Sequence, residues 1–108
     1  MAANNYASTL RQLGRFKEAK ALLRIMMPVA RRVLGDKDRL MFKLRMNYAQ
    51  SLYRDPGATL DDLREAVTTL EDADRIARRV LGGAHPTAVA IEYALRAARQ
   101  LWHAEAQK

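Results

Sequence analysis

The six residues Ala30-Arg31-Arg32-Val33-Leu34-Gly35 recur letter for letter at Ala77-Arg78-Arg79-Val80-Leu81-Gly82, 47 positions further along a chain of 108. A catalytic motif is needed once, whereas a structural joint is needed once per repeat. The likeness extends backwards at the same offset. Glu18-Ala19 falls on Glu65-Ala66, Lys17 on Arg64, Phe16 on Leu63, Leu13 on Leu60, and Leu23 on Leu70. Further back the offset shortens to 42, where Asn5-Tyr6-Ala7 matches Asn47-Tyr48-Ala49 and Leu10 matches Leu52. The second copy therefore holds five extra residues between Leu52 and Leu60. That stretch contains Pro56-Gly57, which is turn chemistry, and a loop is where a repeat best tolerates insertion. A third start is read at Tyr93-Ala94, 45 beyond Tyr48-Ala49.

The apolar pattern is helical throughout. Phe16, Ala19, Leu22, Leu23, Met26, Met27, Ala30, Val33 and Leu34 form one stripe, and Leu63, Ala66, Val67, Leu70, Ala73, Ala77, Val80 and Leu81 another; such spacings mark one buried face of a helix. No stretch alternates with the period of a strand. Thr59-x-x-Asp62 predicts a capping box at the start of a long helix, and Gly35 and Gly82 stand where the long helices should stop. Val-Leu-Gly is thus read as two core residues and a stop. Five helices are predicted, over 3–13, 16–34, 39–54, 60–81 and 87–105. Pro28 lacks a backbone donor and crowds the preceding turn, which predicts a kink or break near Ile25 to Pro28.

Composition narrows the functional class. Nearly half of the residues are apolar, which rules out a disordered tail. Cysteine is absent, so disulfide frameworks and thiolate metal sites are excluded, and a reducing cytoplasmic setting is expected. No apolar run approaches a membrane span and the first residues do not read as a signal peptide. The net charge of +7 is concentrated early: residues 1–35 carry seven Lys or Arg against one Glu, whereas residues 56–82 carry four against six acidic side chains. A basic front half favours acidic partners, although lysines and arginines also simply solvate helix faces.

A helix pair recurring every forty-odd residues resembles the tetratricopeptide repeat, and the details resemble its kinesin-light-chain-type variant. Asn4-Asn5-Tyr6-Ala7, Gly14-Arg15-Phe16-Lys17-Glu18-Ala19 and Val33-Leu34-Gly35 carry the first unit. Asn47-Tyr48-Ala49, Arg64-Glu65-Ala66 and Val80-Leu81-Gly82 with His85-Pro86 carry the second. Asp61-Asp62 departs from the pattern, as do Pro28 and a first joint that lacks His-Pro. The resemblance implies an all-α fold, a right-handed α-solenoid of antiparallel helix pairs. Residues 1–108 would form a single solenoid fragment of about two and a half repeats: repeat 1 at 3–35, repeat 2 at 39–82 and an unpaired first helix of repeat 3 at 87–105. Ala7, Ala19, Ala49, Ala66 and Ala94 would be small where helices cross. Tyr6, Leu10, Leu23, Tyr48, Leu52 and Leu70 would fill the gaps.

In such a stack the first helix of each pair lines the concave surface, and the resemblance implies that this surface binds peptides. The polar positions left over are Asn5, Ser8 and Gln12, then Asn47, Gln50 and Arg54, then Glu92, Arg96 and Arg99, spaced by three or four on each helix. Amides suit an extended peptide backbone and arginines suit carboxylates. The candidate peptide-binding residues are therefore Asn5, Ser8, Gln12, Asn47, Gln50, Arg54, Arg96 and Arg99, each of which could equally be an ordinary solvated side chain. Asn4, Ser8 and Met46 lack the lysines of a C-terminal carboxylate clamp, so an acidic internal segment is the expected ligand.

The remaining candidates are weaker. His85 and His103 are far apart in sequence, with no Cys and no carboxylate cluster beside them, and make no metal site. Arg31-Arg32 and Arg78-Arg79 suit the negative end of a helix dipole. Met26, Met27, Met41 and Met46 read as core filler. No phosphate loop, nucleophile–base pair or zinc motif is present. The expected function is an interaction module without catalysis, cofactor or membrane contact. The alternative is a basic helical nucleic-acid-binding protein, against which stands the placement of Phe16, Phe42 and most tyrosines on core stripes. An apolar end near Leu95, Leu101 and Trp102 is expected to remain exposed, and to take further repeats or self-associate.

Overall fold

The structure is a computed structural model that describes the backbone of residues 2–108 and the side chains from residue 4 onward. Five helices follow one another: α1 (Ala2–Gln12), α2 (Phe16–Leu34), α3 (Arg39–Tyr53), α4 (Leu60–Leu81) and α5 (Pro86–Ala106). Short connections force consecutive helices to pack antiparallel. The helices α1 and α5 each also touch α3, whereas α2 and α4 make no backbone approach and are bridged by long side chains. Lys20 reaches Asp62 at 3.6 Å and Arg24 reaches Glu65 at 2.9 Å. One layer is therefore tight and the other splayed, which curves the stack around α3.

Each boundary has a local cause. Gly35 and Gly82 adopt φ of 80° and 88°, a region that a Cβ makes costly. Their N–H groups close the last turns on the carbonyls of Arg31 and Arg78. The capping box at Thr59 forms as expected, with Asp62 returning the bond. The α3 and α5 starts prove equivalent although their letters differ. Asp38 accepts the N–H of Leu40 at 2.8 Å and His85 accepts the N–H of Thr87 at 3.1 Å. Those two caps are also 47 positions apart. Replacing Asp38 by Ala is expected to cost about 1 kcal/mol in urea unfolding, and by Asn almost nothing, because Asn retains the acceptor.

The charges around the two joints are arranged with one sign reversed. In the first, Asp36 accepts from Arg31 at 2.7 Å and from the buried Arg45 at 2.6 Å. Hydrogen bonding from Arg31, joined by Arg45, holds the Asp36 carboxyl below its ordinary range. In the second, Arg78 stands where Arg31 does and Glu92 where Arg45 does, and these two pair directly at 3.2 Å. No carboxylate is needed at Gly83, the counterpart of Asp36.

The core is continuous along α3, α4 and α5. Ala7, Ala19, Ala49, Ala66 and Ala94 are all buried, as close packing of neighbouring helices requires. Several expectations are corrected, that at Pro28 only as to a break. Pro28 does not break α2, which runs on past it with Pro28 exposed; exposure lets water serve the carbonyl that the proline cannot bond. Tyr6 is 58% exposed although Tyr48 is 4% exposed. Tyr48 is covered by Arg24 of α2, whereas among the described residues none from a long helix covers Tyr6 in that way. Val33 and its counterpart Val80 are 77% and 40% exposed rather than core, so of each Val-Leu-Gly joint only the leucine packs against the core. At the other end, Leu95 is buried and Trp102 packs partly against the core, leaving only Leu101 of the three exposed.

The fifth helix carries the largest correction. Buried positions on α5 are Ala88, Ile91, Ala94, Leu95 and Ala98. Moved back by 47 they land on Met41, Leu44, Asn47, Tyr48 and Ser51, every one buried on α3. The register of α5 is thus set by its cap, 47 beyond that of α3, and the counterpart of Tyr48 is Leu95 rather than Tyr93. A two-residue slip turns a helix by about 200°, so the polar face assigned to α5 from sequence is placed on the wrong side.

Candidate functional site

A groove runs between α1, α3 and α5 in two adjoining compartments of about 410 and 520 Å3 that share Met46, Gln50, Pro86 and Ala90. From α1 it is lined by Asn4, Asn5, Ser8 and Arg11, and from α3 by Lys43, Met46, Asn47, Gln50 and Arg54. Val89 and Tyr93 add an apolar wall from α5. Its charged lining residues are Arg11, Lys43 and Arg54, without a carboxylate among them.

The sequence-predicted residues divide. Asn5, Ser8, Asn47, Gln50 and Arg54 come together in the groove. Gln12 is exposed at the end of α1 and lies outside the lining. Arg96 and Arg99 lie elsewhere: Arg96 pairs with Glu92 at 2.9 Å and Arg99 with Glu71 of α4 at 3.0 Å. The expectation that they continue the face of Asn47 and Gln50 is corrected by the 47-residue register, which puts Ala94 and Ala97 at those positions.

Asn47 plays a different part from the one its residue type suggests. Its Nδ2 donates to Asn4 Oδ1 at 2.9 Å and its Oδ1 accepts from Arg11 Nε at 3.1 Å. The amide is almost fully buried and spent on joining α1 to α3. It holds Arg11 in place from within the groove lining. The amides left to face the groove are those of Asn5 and Gln50.

Arg11 is the residue that sequence reasoning missed, since it stood one position off the chosen α1 stripe. With Nε held by Asn47, both of its Nη groups remain without a hydrogen bond among the described residues. Burial, reinforced by the charge of Arg54, lowers its pKa from the ordinary arginine value. Arg54 lies over the Tyr53 ring at 6.0 Å, and neither guanidinium has a carboxylate within salt-bridge distance among the described residues. Two cations that repel one another in a half-enclosed groove are stabilised by an anion placed between them.

A second cleft of about 550 Å3 lies between α2 and α4 and also contains arginines. There the charges are largely satisfied internally. Arg24 bonds Tyr48 and Glu65, while Arg31 and Arg45 bond Asp36. Among the described residues no group of three or more His, Cys, Asp or Glu side chains could hold a metal ion, and no helix is long and apolar enough to cross a membrane.

No curated protein and no solved structure matches the chain. Residues 1–39, which hold α1, α2 and the first joint, match the family model of the tetratricopeptide repeat. This match supports a tetratricopeptide repeat over that stretch, and the all-helical architecture is that of a helical-repeat solenoid.

Proposed function

We propose that this chain is a protein-interaction module that holds an extended acidic peptide segment in the groove between α1, α3 and α5. The observation that carries the reading is the pair Arg11 and Arg54, two guanidiniums without acidic partners, one of them fixed by Asn47. A peptide carboxylate entering between them relieves their repulsion and accepts a forked pair of hydrogen bonds. Gln50 and Asn5 offer donors and acceptors to the peptide backbone. Val89 and Tyr93 give its apolar side chains a wall. The module carries out no catalytic step of its own and works in a reducing cytoplasm. Its motif order and the His85-Pro86 start of α5 support the reading that the repeat is of the kinesin-light-chain type.

Fluorescence anisotropy with short acidic, neutral and basic peptides tests this. Binding is expected for the acidic set only. Arg54→Glu is expected to weaken it by at least about tenfold, while Arg96→Glu leaves it unchanged. Equal binding of all three sets, or loss with Arg96→Glu alone, sinks the proposal. Single-stranded RNA in the same assay addresses the nucleic-acid alternative. Tight RNA binding that falls steeply with salt would favour it.

A further inference from the structure

The two ends of the solenoid are built differently. At the α4–α5 end the exposed charges neutralise one another: Arg99 meets Glu71 at 3.0 Å, Arg96 meets Glu92 at 2.9 Å and Arg78 meets Asp74 at 3.1 Å. At the other end α2 presents Leu22, Ile25, Val29 and Val33 in a row spaced by three, four and four. Ile25 is 73% and Val29 50% exposed. The α4 residues at the registers of Leu22 and Ile25 are Thr69 and Asp72, and these line the cleft against α2. The row thus occupies the face by which one long helix approaches the helix before it, but with apolar residues.

We infer that this row pairs two copies of the chain, α2 against α2, head to head and antiparallel. The row is self-complementary. Glu18 and Arg32 lie seven residues on either side of Ile25. A two-fold crossing centred on Ile25 therefore sets Glu18 of each copy beside Arg32 of the other, with the half-buried Leu22 one position off register from Val29. Arg32 is exposed at the rim of the α2–α4 cleft and has no carboxylate partner among the described residues, and Glu18 holds only the exposed Arg15. Head-to-tail stacking is disfavoured because it would press the apolar row onto the ion pairs of the far end and strip their water. Tyr6 on α1 faces the same end and widens the contact toward the roughly 1,000 Å2 that a specific interface needs.

Sedimentation equilibrium of the whole chain from about 1 to 200 µM is expected to show a monomer–dimer equilibrium with a micromolar dissociation constant. Ile25→Glu places a charge at the axis in both copies and is expected to weaken the dimer at least about a hundredfold, tenfold for each copy. Because Ile25 is exposed, the thermal midpoint of the monomer should not move. Glu18→Arg and Arg32→Glu should each weaken the dimer, and the double variant should restore it. Leu101→Glu, at the far end, should leave it intact. A chain monomeric through 200 µM overturns the inference and assigns the row to a helix of another protein. A dimer that survives Ile25→Glu, or that is lost with Leu101→Glu, overturns it as well.

Discussion

Replacing Phe42 by Ala is expected to remove about 3–5 kcal/mol of stability, the usual cost of emptying a fully enclosed phenylalanine site. Phe42 is 0% exposed and heads the largest fully buried side chains of the core. It sits on α3, the one helix with neighbours on every side. Its counterpart 47 positions later is Val89, which is half exposed because none of the described helices packs over it. Val89→Ala is therefore expected to change stability by less than about 0.5 kcal/mol, as surface substitutions do. A domain of this size has about 5–15 kcal/mol in total, so Phe42→Ala leaves a chain that unfolds at low urea. Paired urea titrations followed by circular dichroism measure both. A difference between the two variants of less than about 1 kcal/mol would show that α3 is not the enclosed centre of the stack.

The contrast between Phe42 and Val89 also shows what could be read from the letters alone. Helix limits were legible to within one or two residues, because the apolar period, the Thr59 capping box and the stop glycines are local signals. Register on α5 was not. Tyr93-Ala94 looks like Tyr48-Ala49, but the face a residue occupies is set by its distance from the helix start. Counting from Asp38 and His85 would have given 47, the spacing already present in the two copies of the joint, and would have withdrawn Arg96 and Arg99 from the groove. The role of Asn47 was hidden for another reason. Its partners Asn4 and Arg11 are 43 and 36 positions away, and only the closed fold brings a polar residue and its satisfying groups together. The exposure of Tyr6, against the burial of its counterpart Tyr48, depends on which helix packs beside it, and no local pattern records that.

Raising the pH is expected to remove about 2–3 kcal/mol of stability between pH 10 and 12 through Tyr48 alone. Tyr48 lies at the seam of the two helix pairs. Its hydroxyl accepts from Arg24 Nε at 2.8 Å and donates to Glu65. Burial, with the hydrogen bond to Glu65, pushes its pKa up to about 12 from 10.0. The folded chain therefore keeps this proton after the unfolded chain has released it. Below pH 10 both states hold the proton and the contribution is complete. As pH climbs toward 12 the unfolded state binds fewer protons, so stability falls. Tyr48→Phe isolates the effect from the lysines and the other tyrosines that titrate in the same range. At pH 8 the variant should be less stable by about 1 kcal/mol, the net worth of a hydrogen bond. Its alkaline loss should be smaller, because Phe has nothing to ionise. The two stability curves should then cross above pH 10, with the variant the more stable at pH 12. Parallel curves across that range would mean that the hydroxyl ionises equally in both states, and that Arg24 and Glu65 do not close over it at the seam.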